Sequence, residues 1–175
     1  MKHIKLLALS GSLRQASYNS AVLEALKIIA PAHIEIVMGN IADLPLFNPD
    51  RESEVIPALE TLKSILAQAS GLIIASPEYA HGISGPMKNA LDWLVSGDEF
   101  PHKPIMLINT SPRASHAQES LREVLITMSG DIIESACVSV PLLGSGLDKN
   151  GIIVNAEISH ALQTALNEFC QKISL

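Results

Sequence analysis

The chain has 175 residues, 47% apolar and only 17% charged, with a net charge of −6. This composition excludes a disordered chain, and the length suits one domain, 1–175, with a core of its own. The acidic balance excludes a nucleic-acid binder, which leans on clustered Lys and Arg, and no run approaches the roughly 20 apolar residues of a membrane-crossing helix.

The first element is the apolar run Ile4 to Leu9. With Lys2, His3 and Lys5 around its start it has a faint look of a signal peptide, but it is too short and continues without a cleavage site. It reads instead as a buried strand. Residues Ser10 to Asn19 form a hydroxyl-rich loop, and a helical pattern follows from near Ser20, with Val22, Leu26 and Ile29 on one face. A strand at 33–38 leads into loop 39–52, where Pro45, Asn48 and Pro49 suggest a flexible excursion. Val55, Leu59, Leu62, Leu66 and Ala69 make the stripe of the second helix, followed by a strand at 71–76. Loop 76–86 precedes a third helix carrying Met87, Leu91 and Leu94, and a strand at 104–109 comes next. The fourth helix presents Leu121, Val124, Leu125 and Met128, opened by the capping box Ser115-x-x-Gln118. A strand at 135–140, a turn-rich exposed loop from Gly144 to Gly151, and a helix with Ile158, Leu162, Leu166, Phe169 and Ile173 complete the chain.

The strand-like runs are continuous rather than alternating, as expected for strands buried on both faces of a parallel sheet. Repeated β-α units with right-handed crossovers give a three-layer α/β/α sandwich. Five strands favour the flavodoxin-like order 2-1-3-4-5, whose ligands gather at the carboxyl ends of the middle strands.

Two segments carry the chemistry. In the first, a strand runs through Ser10, Gly11, Ser12, Leu13, Arg14 and Ser17 into a helix at Asn19. Free N–H groups and the helix dipole favour an anion there, and the hydroxyls and Arg14 add donors. A dinucleotide fold would need G-x-G-x-x-G and an acidic residue after the second strand, and a P-loop would need G-K-[ST]; neither is present. The loop therefore suits a terminal monophosphate. An ordinary serine-capped turn would need one hydroxyl, not Ser10, Ser12 and Ser17 together with an arginine. The second segment, Ser76-Pro77-Glu78-Tyr79-Ala80-His81-Gly82-Ile83-Ser84-Gly85-Pro86, ends the third strand and lies beside the first loop. Its Pro and Gly residues leave backbone groups free to face a flat heterocycle, and Ser84 and Pro86 suit the start of a helix.

Gly11-Ser12-Leu13-Arg14 with Ser17 and Asn19, then Pro77-Glu78-Tyr79, then Lys88-Asn89-Ala90-Leu91-Asp92-Trp93, resembles the NADPH-dependent FMN reductase family in motif and order across nearly the whole chain. The resemblance implies that Ser10, Ser12, Arg14, Ser17 and Asn19 hold the phosphate of FMN. Pro77, Glu78, Tyr79 and Ala80 would then wrap the isoalloxazine, largely through backbone groups. Lys88 to Trp93 would support the loop and subunit contacts, in a homodimer or homotetramer. The family often has Asn where this chain has Ala80, a change that a backbone contact survives. Its glycine-rich loop after the fourth strand is here Thr110-Ser111-Pro112-Arg113-Ala114-Ser115-His116, with Arg113 read as solvent-facing.

The implied activity is an FMN-dependent NAD(P)H oxidoreductase. Hydride passes from NADPH or NADH to flavin N5, and by a ping-pong cycle to a quinone, free flavin, azo compound or metal-oxyanion acceptor. The flavin carries the chemistry, so no catalytic acid, base or nucleophile is assigned. The alternative is a flavodoxin-type electron carrier without its own NAD(P)H turnover, although such carriers stack aromatics on the ring and this chain is only 3% aromatic. The histidines are scattered without an i,i+4 pair, so no metal site is expected, and Trp93 reads as packing. Cys137 and Cys170 have neither metal nor redox spacing; read as reduced core thiols, they point to the cytoplasm.

Overall fold

The computed structural model describes residues 3–111, 113 and 115–174. Its long strands are β1 (Ile4–Ser10), β2 (Ile34–Met38), β3 (Gly71–Ala75) and β6 (Pro104–Asn109), with short pieces β7 (Asp131–Ile132) and β8 (Val138–Ser139). They form a parallel sheet in the order β2-β1-β3-β6-β7, with β8 also pairing with β6. Two further short strands, β4 (Glu78–Tyr79) and β5 (Gly82–Ile83), pair antiparallel outside this sheet. The principal strands thus follow the flavodoxin-like order expected from the sequence.

Side chains alternate across each strand, so β1 sends Leu6 and Ala8 into one core and Leu7 and Leu9 into the other. The first core is covered by α1 (Tyr18–Ile29), α5 (Lys149–Val154) and α6 (Ala156–Lys172). The second is covered by α2 (Pro57–Gln68), α3 (Gly85–Leu94) and α4 (Ser115–Thr127). Helices on both faces explain why the strands read as unbroken apolar runs.

Four expectations are corrected. The fifth strand is not one run at 135–140. A 3-10 turn at Glu134–Ala136 bulges it, so only its flanks reach β6, and the Cys137 sulfur accepts the Leu107 N–H at 3.4 Å where the backbone ladder is interrupted. Val55 is 84% exposed and precedes α2; the buried residue is Ile56, because Pro57 at the first turn starts the helix later. Loop 39–52 is not a free excursion: Trp93 Nε1 and Asn89 Nδ2 donate to Pro45 O at 2.7 and 3.0 Å, and Asn89 Oδ1 accepts from Phe47 N at 2.8 Å. Trp93 also packs edge-on against Phe47, in keeping with its reading as a packing residue. Finally, the segment read as a loop to Gly151 contains the start of α5, because the Asp148 side chain caps Gly151 N at 2.8 Å.

Candidate active site

At the carboxyl ends of β1, β3 and β6 lies a cleft of about 790 Å³, within the usual range for small-molecule sites. It brings together Ser12, Arg14, Ser17 and Asn19 from the first loop with Pro77, Glu78 and Tyr79 from the second. Ser10 and Ala80 do not line it.

The first loop is shaped by its own hydroxyls. Ser10 Oγ lies 2.8 Å from Ser20 Oγ and accepts from Ser12 N at 3.3 Å. Ser12 Oγ accepts from Arg14 N at 3.4 Å, and Ser17 Oγ caps α1 through Ser20 N at 3.3 Å. Ser10 is therefore a strut behind the cleft, and Ser17 is both cap and lining. Among the described residues, no protein acceptor takes the backbone N–H of Leu13, Gln15, Ala16, Ser17, Tyr18 or Asn19. These donors open the N-terminus of α1, where the dipole favours an anion, and exposed Arg14 stands beside them.

Gly11 lets the two loops meet. A Cβ there would lie 2.3 Å from Ser76 Oγ and 2.8 Å from Ser76 Cβ. Gly11 N donates to Ala75 O at 2.8 Å, and Ser84 Oγ donates to Gly11 O at 2.6 Å while capping α3 at Met87 N. The buried Ser84 hydroxyl thus couples the first loop, the second loop and a helix.

The second loop is a tight hairpin turned by Ala80 (φ 49°) and His81 (φ 60°). Two successive left-handed residues without glycine carry strain of about 1–2 kcal/mol each. Two contacts with α4 hold the hairpin. The Glu78 carboxylate accepts from Ala117 N at 2.9 Å, and the His81 and His116 rings stack with centroids 4.4 Å apart and planes within 10°. Helix α4 begins at Ser115, so the first-turn acceptor comes from this distant loop rather than from the Ser115–Gln118 box. Exposed Tyr79 forms the rim.

The walls also include residues outside the two loops, among them those of the loop after β6 that the sequence reading placed beside the ring. Thr110, at the end of β6, donates to Asn19 Oδ1 at 3.1 Å; both residues are buried, and Ser111 adjoins them. The strand-end rule already pointed to Thr110. Pro112 and Ala114 of the same loop lie outside the described residues, while Arg113 is exposed as expected. On the far side, Leu143, Gly146, Leu147, Asp148 and Lys149 line the chain's own cleft. Nothing local in the sequence announces that role, because Tyr18 and Glu24 of α1 draw the segment in.

The donor set fits an FMN phosphate: open N–H groups at a helix start, hydroxyls and one guanidinium, beside the Pro77–Tyr79 hairpin that lines the same cleft. The family model for NADPH-dependent FMN reductases matches residues 4–142. The chain belongs to this family. It is 33% identical to an NADH-dependent flavin reductase subunit 2 from Lactobacillus johnsonii, with 95% of each chain covered. It is 30% identical to a quinone reductase from Escherichia coli, with 98% of each covered. The solved structure of FerB, a flavoenzyme NAD(P)H:(acceptor) oxidoreductase from Paracoccus denitrificans, superposes with a TM-score of 0.86 at 24% identity, covering 98% of this chain and 97% of that one.

Proposed function

We propose that residues 1–175 form one FMN-binding domain of an NAD(P)H-dependent oxidoreductase that reduces small planar acceptors, quinones and free flavins first among them. The observation that carries this reading is the convergence, in one cleft, of the α1 anion site with the Pro77–Tyr79 hairpin. When bound, FMN supplies two-electron chemistry, taking hydride from the nicotinamide and delivering it to the acceptor.

The protein's own part is binding and orientation. Ser12, Arg14, the α1 N–H groups and Asn19 hold the phosphate tail. Asn19 is fixed for that task by Thr110. Pro77, Glu78 and Tyr79 offer backbone to the ring edge, and the Glu78 carboxylate keeps that backbone in place by its bond to α4. Ser10 acts behind the cleft by holding Ser20 and Ser12 N, and Ala80 acts by turning the hairpin. No side chain is required to donate or accept a proton.

A cytoplasmic homodimer or homotetramer is the accompanying proposal. Among the described residues no helix is long and apolar enough to cross a membrane, and Cys137 and Cys170 are unpaired thiols. Exposed Leu46, Val55 and Val95 supply apolar surface for subunit contacts.

The test is steady-state kinetics of the FMN-loaded protein with NADPH or NADH and a benzoquinone. Parallel double-reciprocal lines, with turnover that depends on FMN, are expected. A protein that binds FMN yet never oxidises NAD(P)H is a carrier, and the reading fails.

A further inference from the structure

The segment after the split fifth strand, Leu143 to Lys149, borders the cleft and is fastened to α1 at two points. Tyr18, the first residue of α1, accepts at its Oη the Gly146 N–H at 3.0 Å. Further along the same helix, Glu24 pairs with Lys149 at 3.6 Å. Tyr18, Glu24, Gly146 and Lys149 all line the cleft, so both fastenings lie on its wall.

The two fastenings differ in kind. Tyr18 is half-buried and uses a neutral hydroxyl on a backbone donor, and its partner sits in a tight turn where Gly144 (φ 81°) and Gly146 (φ 71°) set the chain's course. This fixes the segment's position. The Lys149–Glu24 pair is close to half-exposed on both sides and at the long end of ion-pair distance, a weak and salt-screened hold. A phosphate dianion at the start of α1 offers the ammonium a stronger, charge-assisted partner. Arg14 lines the same cleft, which thus draws a cation from each of two segments.

We propose that Leu143–Lys149 is a strap over the cofactor phosphate, positioned by Tyr18, and that Lys149 transfers from Glu24 to the phosphate when FMN binds. The proposal rests on the FMN site described above and adds to it a second cation and a competing carboxylate. Glu24 thereby tunes affinity: it holds Lys149 away from the anion until a phosphate competes for it.

The experiment titrates the apoprotein with FMN and with riboflavin, which lacks the phosphate, following flavin fluorescence. The proteins are the parent chain and the Lys149→Ala, Glu24→Gln, Tyr18→Phe and Arg14→Ala variants. Lys149→Ala is expected to weaken FMN about tenfold, the scale of one charge-assisted hydrogen bond, and to leave riboflavin unchanged. Glu24→Gln is expected to tighten FMN, a result that a merely structural pair would not give. Tyr18→Phe should speed FMN release in a trapping experiment. Equal effects of Lys149→Ala on both flavins, or an unchanged or weaker FMN affinity in Glu24→Gln, overturn the strap. If Arg14→Ala still weakens FMN in that case, the site itself stands; if Arg14→Ala also changes nothing, the phosphate site is wrong as well.

Discussion

Glu78 lies at the second loop and invites assignment as a proton donor, whereas its geometry makes it a tether. Its carboxylate accepts from Ala117 N at 2.9 Å, in the first turn of α4, where backbone N–H groups have no partner within the helix. A hydrogen bond to a charged group contributes about 1.5–3 kcal/mol, and Glu78 is half-buried, so water replaces part of it and the lower end applies. Glu78→Ala should therefore cost about 1.5 kcal/mol and lower Tm by roughly 3–6 °C at this chain length. Glu78→Gln keeps an oxygen acceptor and loses only the favourable charge at the helix start, about 0.3–1 kcal/mol. Melting of the apoprotein, FMN titration and kcat on a quinone distinguish the two roles. Tethering predicts that Glu78→Gln keeps kcat within a factor of about three, since no transition-state interaction is lost. It also predicts that Glu78→Ala raises the FMN Kd as the hairpin loosens. A general acid would instead lose about 10²–10⁴ in rate in Glu78→Gln. That collapse, with Tm and Kd unchanged, would refute the tether.

Further outcomes follow from the same contacts. Gly11→Ala places a Cβ against Ser76 and should cost about 1–3 kcal/mol through overpacking, with weaker FMN binding; denaturant melts and titration check it. Ala80→Gly removes left-handed strain at φ 49°, partly offset by glycine's larger loss of backbone freedom, and should raise Tm by about 1–4 °C; a lower Tm would mean that the hairpin turns differently. Burial pushes the Cys170 thiol up to about 11, so the native state disfavours its thiolate. Stability is therefore unaffected by this group below the ordinary thiol pKa and is lost as pH rises from about 9 toward 11, and Cys170→Ser should flatten that limb of a pH–stability curve.

The architecture was legible because the central strands β1, β3 and β6 are buried and apolar on both faces over most of their length, as a sheet covered by helices on both sides requires. Where reading failed, tertiary contacts decided. Val55 continues the stripe of α2 in sequence, yet Pro57 starts the helix after it. Loop 39–52 has the composition of a free loop, but Asn89 and Trp93 pin it from α3. In the candidate site, the Ser10–Asn19 loop stood out by its hydroxyls and Arg14, and the fold brings Ser12, Arg14, Ser17 and Asn19 to the cleft. The division of labour within the site was not legible: only the folded chain shows Ser10 behind the cleft, Ser17 capping α1 and Glu78 capping α4. The Leu143–Lys149 wall was invisible for the same reason, since its partners Tyr18 and Glu24 lie more than a hundred residues earlier in the chain.

The most direct test of the FMN assignment is the preference of the apoprotein for FMN over riboflavin, and its dependence on Arg14. With Arg14 beside the open N–H groups of α1, FMN should bind at least about a hundredfold more tightly than riboflavin, the scale of two charge-assisted hydrogen bonds. Arg14→Ala should remove about tenfold or more of that preference while leaving riboflavin affinity and Tm unchanged. Equal affinity for the two flavins in the parent protein would contradict a phosphate site in the Ser10–Asn19 loop.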